Sequence, residues 1–369
     1  MIVLDILFYT FIAVVIIQLV FYGVVFSKFS FYKHQQQKQK NIAVSILVCA
    51  KNEAENLKEF IPLILEQNYP TFELVLINDN SNDDTLNVMK SFQASHDNIK
   101  IIDVKPIEAF WGNKKYALTL GIKASSNSFL LFTDADCKPL SKNWIKEMSS
   151  HFSNKKTIVL GYGAYKKSKG FLNKLIRFET LLTAIQYFSY TKIGMPYMAV
   201  GRNLAYRKET FFEARGFMDH MNVRSGDDDL FVNQIANTLN TAICISNDSF
   251  TESIPETSLS KWFTQKKRHV STAKFYKLKH KLVLGLFYVS QISFWLLSLI
   301  LLLALFNWKI VLGLFILRLI IQFIVFGLSA KKLNEQDTII LLPFLELFLI
   351  VSQLAIFISN ITSKQGRWK

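Results

Sequence analysis

Apolar residues in this chain gather in two long blocks that flank a region of short alternating segments. Residues 2–26 carry a single charge, Asp5. The run exceeds the roughly 20 residues a helix needs to cross a bilayer. It lacks a basic leader and a small-residue cleavage site, which reads as a retained anchor over 1–27 rather than a cleaved signal. The second block, 282–360, is broken at Asn307-Trp308-Lys309 and at Lys331-Lys332-Leu333-Asn334-Glu335. It predicts about three further spans, near 284–306, 309–329 and 338–360. Between the blocks, 41–280 alternates strand and helix periods as a water-soluble domain does.

Within that domain, Ile42-Ala43-Val44-Ser45-Ile46-Leu47-Val48-Cys49 reads as a buried strand leading into Ala50-Lys51-Asn52-Glu53 and a helix. Phe72–Asn78 predicts a second strand, ending at Asp79-Asn80-Ser81-Asn82-Asp83-Asp84-Thr85, and Ile99–Val104 a third. Strand, helix and strand in this order build a parallel sheet, whose ligands collect beyond the carboxyl ends of the strands. Asn80, Ser81 and Asp83 suit the cap of the next helix, while Asp79 is placed to accept a hydrogen bond from a base or a ribose. Leu172 to Ile193 is rich in Phe, Leu, Ile and Tyr and fits either an interfacial amphipathic helix or a core helix.

Charge changes the picture in one respect. The net charge is +15 over 369 residues, and 50% of the residues are hydrophobic. The basic residues sit beside the apolar blocks: Lys28, Lys33, Lys38 and Lys40 after the first, and Lys261, Lys266, Lys267, Arg268, Lys274, Lys277, Lys279 and Lys281 before the second. That placement favours a membrane surface over nucleic acid and puts 41–280 in the cytoplasm of a multi-pass inner or plasma-membrane protein. With three later spans the tail Lys364, Arg367 and Lys369 falls outside, against the rule. Either one segment is re-entrant, with Pro343 and Glu346 making the last one the candidate, or the rule fails. Cys49, Cys137 and Cys244 show no C-x-x-C spacing and read as buried free thiols. Gln35-Gln36-Gln37 reads as a linker.

The chemistry centres on Thr133-Asp134-Ala135-Asp136-Cys137, directly after the apolar run Phe129–Phe132. A strand that ends in two acids one residue apart presents both carboxylates in one direction at the sheet edge. Two hard oxygen ligands suit Mg²⁺ or Mn²⁺ shared with a diphosphate. Trp111-Gly112-Asn113-Lys114-Lys115 opens a helix and fits either an anion site or a solvated basic turn.

These segments resemble, in order, the motifs of glycosyltransferase family 2: Ser45–Glu53, Asn78-Asp79-Asn80-Ser81, Gly112-Asn113-Lys114 and Thr133–Asp136. The resemblance implies a GT-A fold (α/β, a mostly parallel central sheet, here with transmembrane helices), a nucleotide-sugar donor and a divalent metal, Mg²⁺ or Mn²⁺. It assigns nucleotide contacts to Ala50, Asn52, Glu53 and Asp79, and metal and diphosphate to Asp134 and Asp136. Val200-Gly201-Arg202-Asn203-Leu204-Ala205-Tyr206 resembles the acceptor-side segment, so Arg202 and Asn203 join the substrate-binding candidates. Ser225-Gly226-Asp227-Asp228-Asp229-Leu230 resembles the family's Glu-Asp-x-Asp-Leu motif, with glycine in the glutamate position. Counting back from Leu230 makes Asp227 the base, with Asp228 as the alternative. Gln265-Lys266-Lys267-Arg268-His269 resembles the Gln-x-x-Arg-Trp motif of the processive cellulose and hyaluronan synthases. Gln265 and Arg268 match it and His269 replaces the tryptophan.

The resulting expectation is a membrane-bound inverting transferase. It takes a sugar, from a UDP-sugar by preference, to a lipid-linked or polysaccharide acceptor. Asp227 serves as base, and the metal, Arg268 and Lys114 meet the departing diphosphate. A nucleotidyltransferase is disfavoured because no Gly-rich loop stands at 45–57. A transporter would need a polar pathway, whereas Arg318, Gln322 and Glu346 form no evident one. A nucleotide-sugar-binding scaffold without catalysis is the remaining alternative.

Overall fold

A computed structural model describes residues 1–34, 37–105, 114–223 and 225–362. Gln35, Gln36, Trp111, Gly112, Asn113 and the basic tail lie outside the described residues. The chain divides into two compact units, His34–Lys169 with Gly194–Thr257, and Met1–Lys33 with Gly170–Ile193 and Ser258–Lys369.

The first unit is α/β. Its strands are β1 (Val44–Ala50), β2 (Phe72–Asp79), β3 (Ile99–Val104), β4 (Phe129–Asp134), β5 (Cys137–Pro139), β6 (Ile158–Leu160), β7 (Gly163–Tyr165), β8 (Leu204–Arg207), β9 (Thr241–Ile243) and β10 (Thr251–Ser253). The main sheet runs β3-β2-β1-β4-β8-β6-β9. Its first four strands are parallel, β8 is antiparallel to both β4 and β6, and β9 is parallel to β6. Helices cover both faces of β1, which is why it reads as a continuous apolar run and is buried everywhere except Cys49. The helix Lys114–Ala124 lies so close to β2 that a Cβ at Gly121 would come within 2.2 Å of Ile77 Cδ1. The strand order turns between β1 and β4, so their carboxyl ends open a crevice there. A small sheet, β5-β10-β7, begins three residues after Asp134.

The second unit is helical. Among the described residues, four segments are long and apolar enough to cross a membrane: Ile2–Ser30, Leu278–Leu303, Trp308–Lys332 and Gln336–Asn360. Their exposure pattern inverts that of a water-soluble protein. Leu303 is 77% exposed and Phe344 70%, while Arg318 and Gln322 are wholly buried. Arg318 forms a two-pronged pair with Glu346 (2.6 and 3.0 Å) and also donates to Gln18 and Tyr22, and Gln291 donates to Glu346 (2.9 Å). These intramembrane polar residues close on one another as a satisfied cluster. The helix Phe171–Lys192 belongs to this unit, with Phe188 stacked on Phe29 (5.0 Å) and Phe178 against Phe326 (5.9 Å).

Candidate active site

The loops after β1 and β2 are clipped together by polar side chains. Asn52, in the left-handed region at φ 58°, accepts the backbone N–H of Asn82 and donates its own N–H to Ser81. Asp83 accepts from Thr85 N and Oγ1 and from Ala54 N, so one carboxylate serves the first turns of two helices. Thr85 Oγ1 accepts from Glu53 N. Capping therefore falls to Asp83, which leaves Asp79, at the end of β2, half-buried beside the β1 end. Burial pushes the Asp79 carboxyl up and the nearby Lys51 and Lys114 pull it back. Glu53 is raised by burial, with the charges of Asp136 and Asp134 adding to that push, while its carboxylate accepts from Asn56 (2.6 Å). Ala50 is buried at the end of β1 and lies opposite Asn78 in the ladder.

At the end of β4 the two acids separate. Asp134 Oδ1 meets Lys114 Nζ at 2.7 Å, and the same ammonium reaches Asp227 Oδ2 at 3.1 Å. Asp136 turns toward the small sheet. Cys137 Sγ lies 3.3 Å from its Oδ1 and 2.8 Å from Ser253 Oγ. Arg202 stacks on the Tyr165 ring (4.2 Å) and donates weakly to Ala164 O and Ser253 Oγ, which sets a cation near the pair. Burial, and then the charge of Asp134, raises Asp136. Ligand atoms of Asp134, Asp136 and Cys137 all fall within 4.8 Å of one another. Two hard oxygens whose mutual repulsion a dication relieves fit Mg²⁺ or Mn²⁺.

The acidic run shows why glycine precedes it. Gly226 has φ 97°, and a Cβ there would come within 2.5 Å of the Leu230 side chain. Asp228 caps the helix Asp229–Ile235, with Oδ1 accepting from Asp229 N (2.7 Å) and Oδ2 from Gly201 N (2.6 Å). Both its oxygens therefore serve the backbone. Asp227 is the acid that faces Lys114. Burial raises it, but the Lys114 ammonium, a backbone hydrogen bond and the charge of Lys115 together outweigh burial and hold it below the ordinary aspartate value. Asp228 moves the other way, pushed up to about 7 by burial and by its neighbours Asp227 and Asp229.

Lys114, Asp134, Asp227 and Asp228 form the charged lining of one open cleft of about 320 Å³, walled by Leu47, Cys49, Phe132, Gly201 and Tyr206, whereas Glu53, Asp79, Asp136 and Arg202 are not part of its lining. Asn203 lies behind it, wholly buried. Its amide donates to Tyr162 O and Ser249 O and accepts from Trp144 Nε1, so it braces the wall instead of facing the cleft. Gln265 and Arg268 stand on the helix Leu259–Val270 of the helical unit. Sequence reasoning places neither Cys137, read there only as a buried thiol, nor Tyr165 at the site, whereas it reads Asp83 as a helix cap, which it is. The first adjoins the acid pair and carried a usable signal, whereas Tyr165 meets Arg202 only through the tertiary fold.

Residues 45–215 match the model of glycosyl transferase family 2. Glycosyltransferase AglE of Haloferax volcanii is 30% identical over 112 residues, which is 30% of this chain and 35% of that protein. Poly-beta-1,6-N-acetyl-D-glucosamine synthase of Staphylococcus epidermidis is 32% identical over 104 residues, 28% of this chain and 23% of that one. The chain thus spans about a third or less of the length of these relatives. Among solved structures, a mannosyltransferase from Pyrobaculum calidifontis in complex with GDP-Man and Mn²⁺ shares the fold over 98% of this chain and 100% of its own, with a TM-score of 0.63 and 16% identity. The central α/β domain thus has a GT-A fold, and its residues 45–215 match the glycosyl transferase family 2 model.

Proposed function

We propose that this chain is a membrane-bound, metal-dependent inverting glycosyltransferase that moves a sugar from a nucleotide-sugar, a UDP-sugar by preference, onto a hydroxyl of a lipid-linked or polysaccharide acceptor. The observation that carries the reading is Lys114 Nζ lying between Asp134 and Asp227, which sets the first acid of the D-x-D pair beside the acidic run. The loops after β1 and β2, with Asn52, Glu53 and Asp79, take the nucleoside. Asp134 and Asp136 would hold the metal. When bound, the metal neutralises charge that builds on the departing diphosphate.

Asp227 removes the acceptor hydroxyl proton, and that oxygen attacks the anomeric carbon. The bond from that carbon to the diphosphate oxygen breaks on the opposite face, and the nucleoside diphosphate leaves with the electron pair. A depressed pKa keeps Asp227 ionised and ready to accept a proton. Asp228 keeps the loop in register through Gly201 and Asp229. Lys114 would support the diphosphate, and the motif resemblance extends that task to Gln265 and Arg268. The basic flanks of the apolar segments support a cytoplasmic catalytic unit in a cell or plasma membrane.

Calorimetric titration of UDP- and GDP-sugars with and without Mn²⁺ tests the donor half. One donor should bind only with metal, Asp136→Ala should lose that binding, and Asp227→Asn should keep it. Metal-independent binding that survives Asp136→Ala would favour a nucleotide-sugar-binding protein without this chemistry.

A further inference from the structure

The four apolar segments of the helical unit are not equivalent. Ile2–Ser30, Leu278–Leu303 and Trp308–Lys332 run side by side, and their contacts define two ends. At the near end Ser30 Oγ bonds Val325 O (2.9 Å) and Ser329 Oγ (2.8 Å), and Lys332 Nζ donates to Tyr32 O (2.6 Å). At the far end Phe8 meets Phe306 and Phe11 stacks on Phe294. The far cluster of Phe8, Phe11, Val14, Phe294, Leu301 and Val311 draws on these three helices and, among the described residues, on none of 336–362.

The fourth segment starts and finishes at the near end. Glu335 and Asp337, at its start, both pair with Arg177. Near its finish Asn360 donates to Lys267 O (3.2 Å), and the adjoining Lys266 pairs with Glu179, two residues from Arg177. In between, Glu346 reaches Arg318, and Ile350 O accepts from Tyr288 OH (2.9 Å). Arg318 is 14 residues from Lys332, a depth of about 21 Å at the helical rise, and the 14 residues from Glu346 to Asn360 cover about the same distance back.

We infer that 336–362 is a re-entrant segment embedded in one leaflet. It enters as the short 3-10 helix Gln336–Leu341, turns at the Arg318–Glu346 pair and returns as the helix Leu342–Thr362. Its exposed face, Phe344, Val351, Phe357 and Ile358, meets the acyl chains of that leaflet, continuing the lipid-facing surface of the three crossing helices. The chain then crosses three times, and its carboxyl terminus emerges at the near end. Charge supports this independently. Lys28, Lys33, Lys331 and Lys332 adjoin the near end and Lys309 adjoins the far loop, so by the same rule the basic sequence Lys364, Arg367 and Lys369 is expected on the near side, as only a re-entrant last segment allows.

The inference rests on the membrane reading of this unit, and the test separates the two. Full-length chains carrying Lys33→Cys, Asn307→Cys or Lys364→Cys are expressed in membranes and treated with an impermeant maleimide before and after opening the cells. The parent chain, with its own three cysteines, sets the background. Lys364→Cys should behave like Lys33→Cys and opposite to Asn307→Cys. Labelling of Lys364→Cys together with Asn307→Cys would overturn the re-entrant topology and leave the membrane reading standing. Equal labelling of all three in sealed cells would overturn both. A carboxyl-terminal fluorescent protein fusion, which reports the side without a reactive thiol, decides the case should Lys364→Cys stay silent in opened cells as well.

Discussion

Asp227 and Asp228 are adjacent in sequence but face different surroundings, and the difference is testable. Asp227 is held low by Lys114, after burial is overcome, whereas Asp228 is raised to about 7 by burial and its acidic neighbours. A base is active when ionised, so the acid limb of kcat/KM, which reports the free enzyme, should lie below the ordinary aspartate value if Asp227 is the base. A limb near 7 would transfer the role to Asp228. Lys114→Gln removes a cation that lowers Asp227, so the limb should move up in pH. The same variant should bind Mn²⁺ more tightly in the absence of donor, read by titration of the free ion, because the ammonium no longer competes for Asp134. The acids themselves were legible in the sequence as D-x-D and as a run ending at Leu230. Their division of labour was not, because it depends on the N–H of Gly201, 27 residues away, and on a lysine from another helix.

Gly226 is where element geometry and site chemistry meet. A side chain at φ 97° costs about 1–3 kcal/mol. Gly226→Ala should lower the thermal midpoint by several degrees and depress turnover with it, since the same backbone aims Asp227. Adding Leu230→Ala removes the contact but not the strain, so it should not restore the midpoint. Recovery in the double variant would show that the contact alone mattered. The long strands were readable because β1, β2 and β4 are buried on both faces and carry strong apolar runs. The three-residue strands β5, β7 and β10 went unnoticed, as segments that short have no period to detect. The helix Phe171–Lys192 fits both of the alternatives its composition left open, because an apolar face looks the same whether protein or lipid covers it.

The inverted exposure pattern, with apolar side chains outward and Arg318, Glu346 and their glutamine partners inward, makes a prediction for the helical unit as a whole. Removing one member of a buried pair leaves an uncompensated charge, at a cost of about 3–5 kcal/mol. Arg318→Met or Glu346→Leu alone should therefore lower the melting temperature in detergent markedly, and the double variant should be milder than either. A loss in the double variant equal to the sum of the two single losses would mean that the two residues act independently. Hydropathy and flanking lysines made the number and position of the apolar segments legible. How the last segment runs was not, since that depends on which helices its polar residues meet. The central claim, metal-dependent transfer with Asp227 as base, is tested most directly by nucleoside diphosphate release from a panel of UDP- and GDP-sugars with Mn²⁺, comparing the parent chain, Asp136→Ala and Asp227→Asn. The account predicts release from one donor in the parent, none without metal, none from Asp136→Ala, and none from Asp227→Asn although that variant still binds the donor. Parent-level release from Asp227→Asn in the presence of acceptor would contradict it.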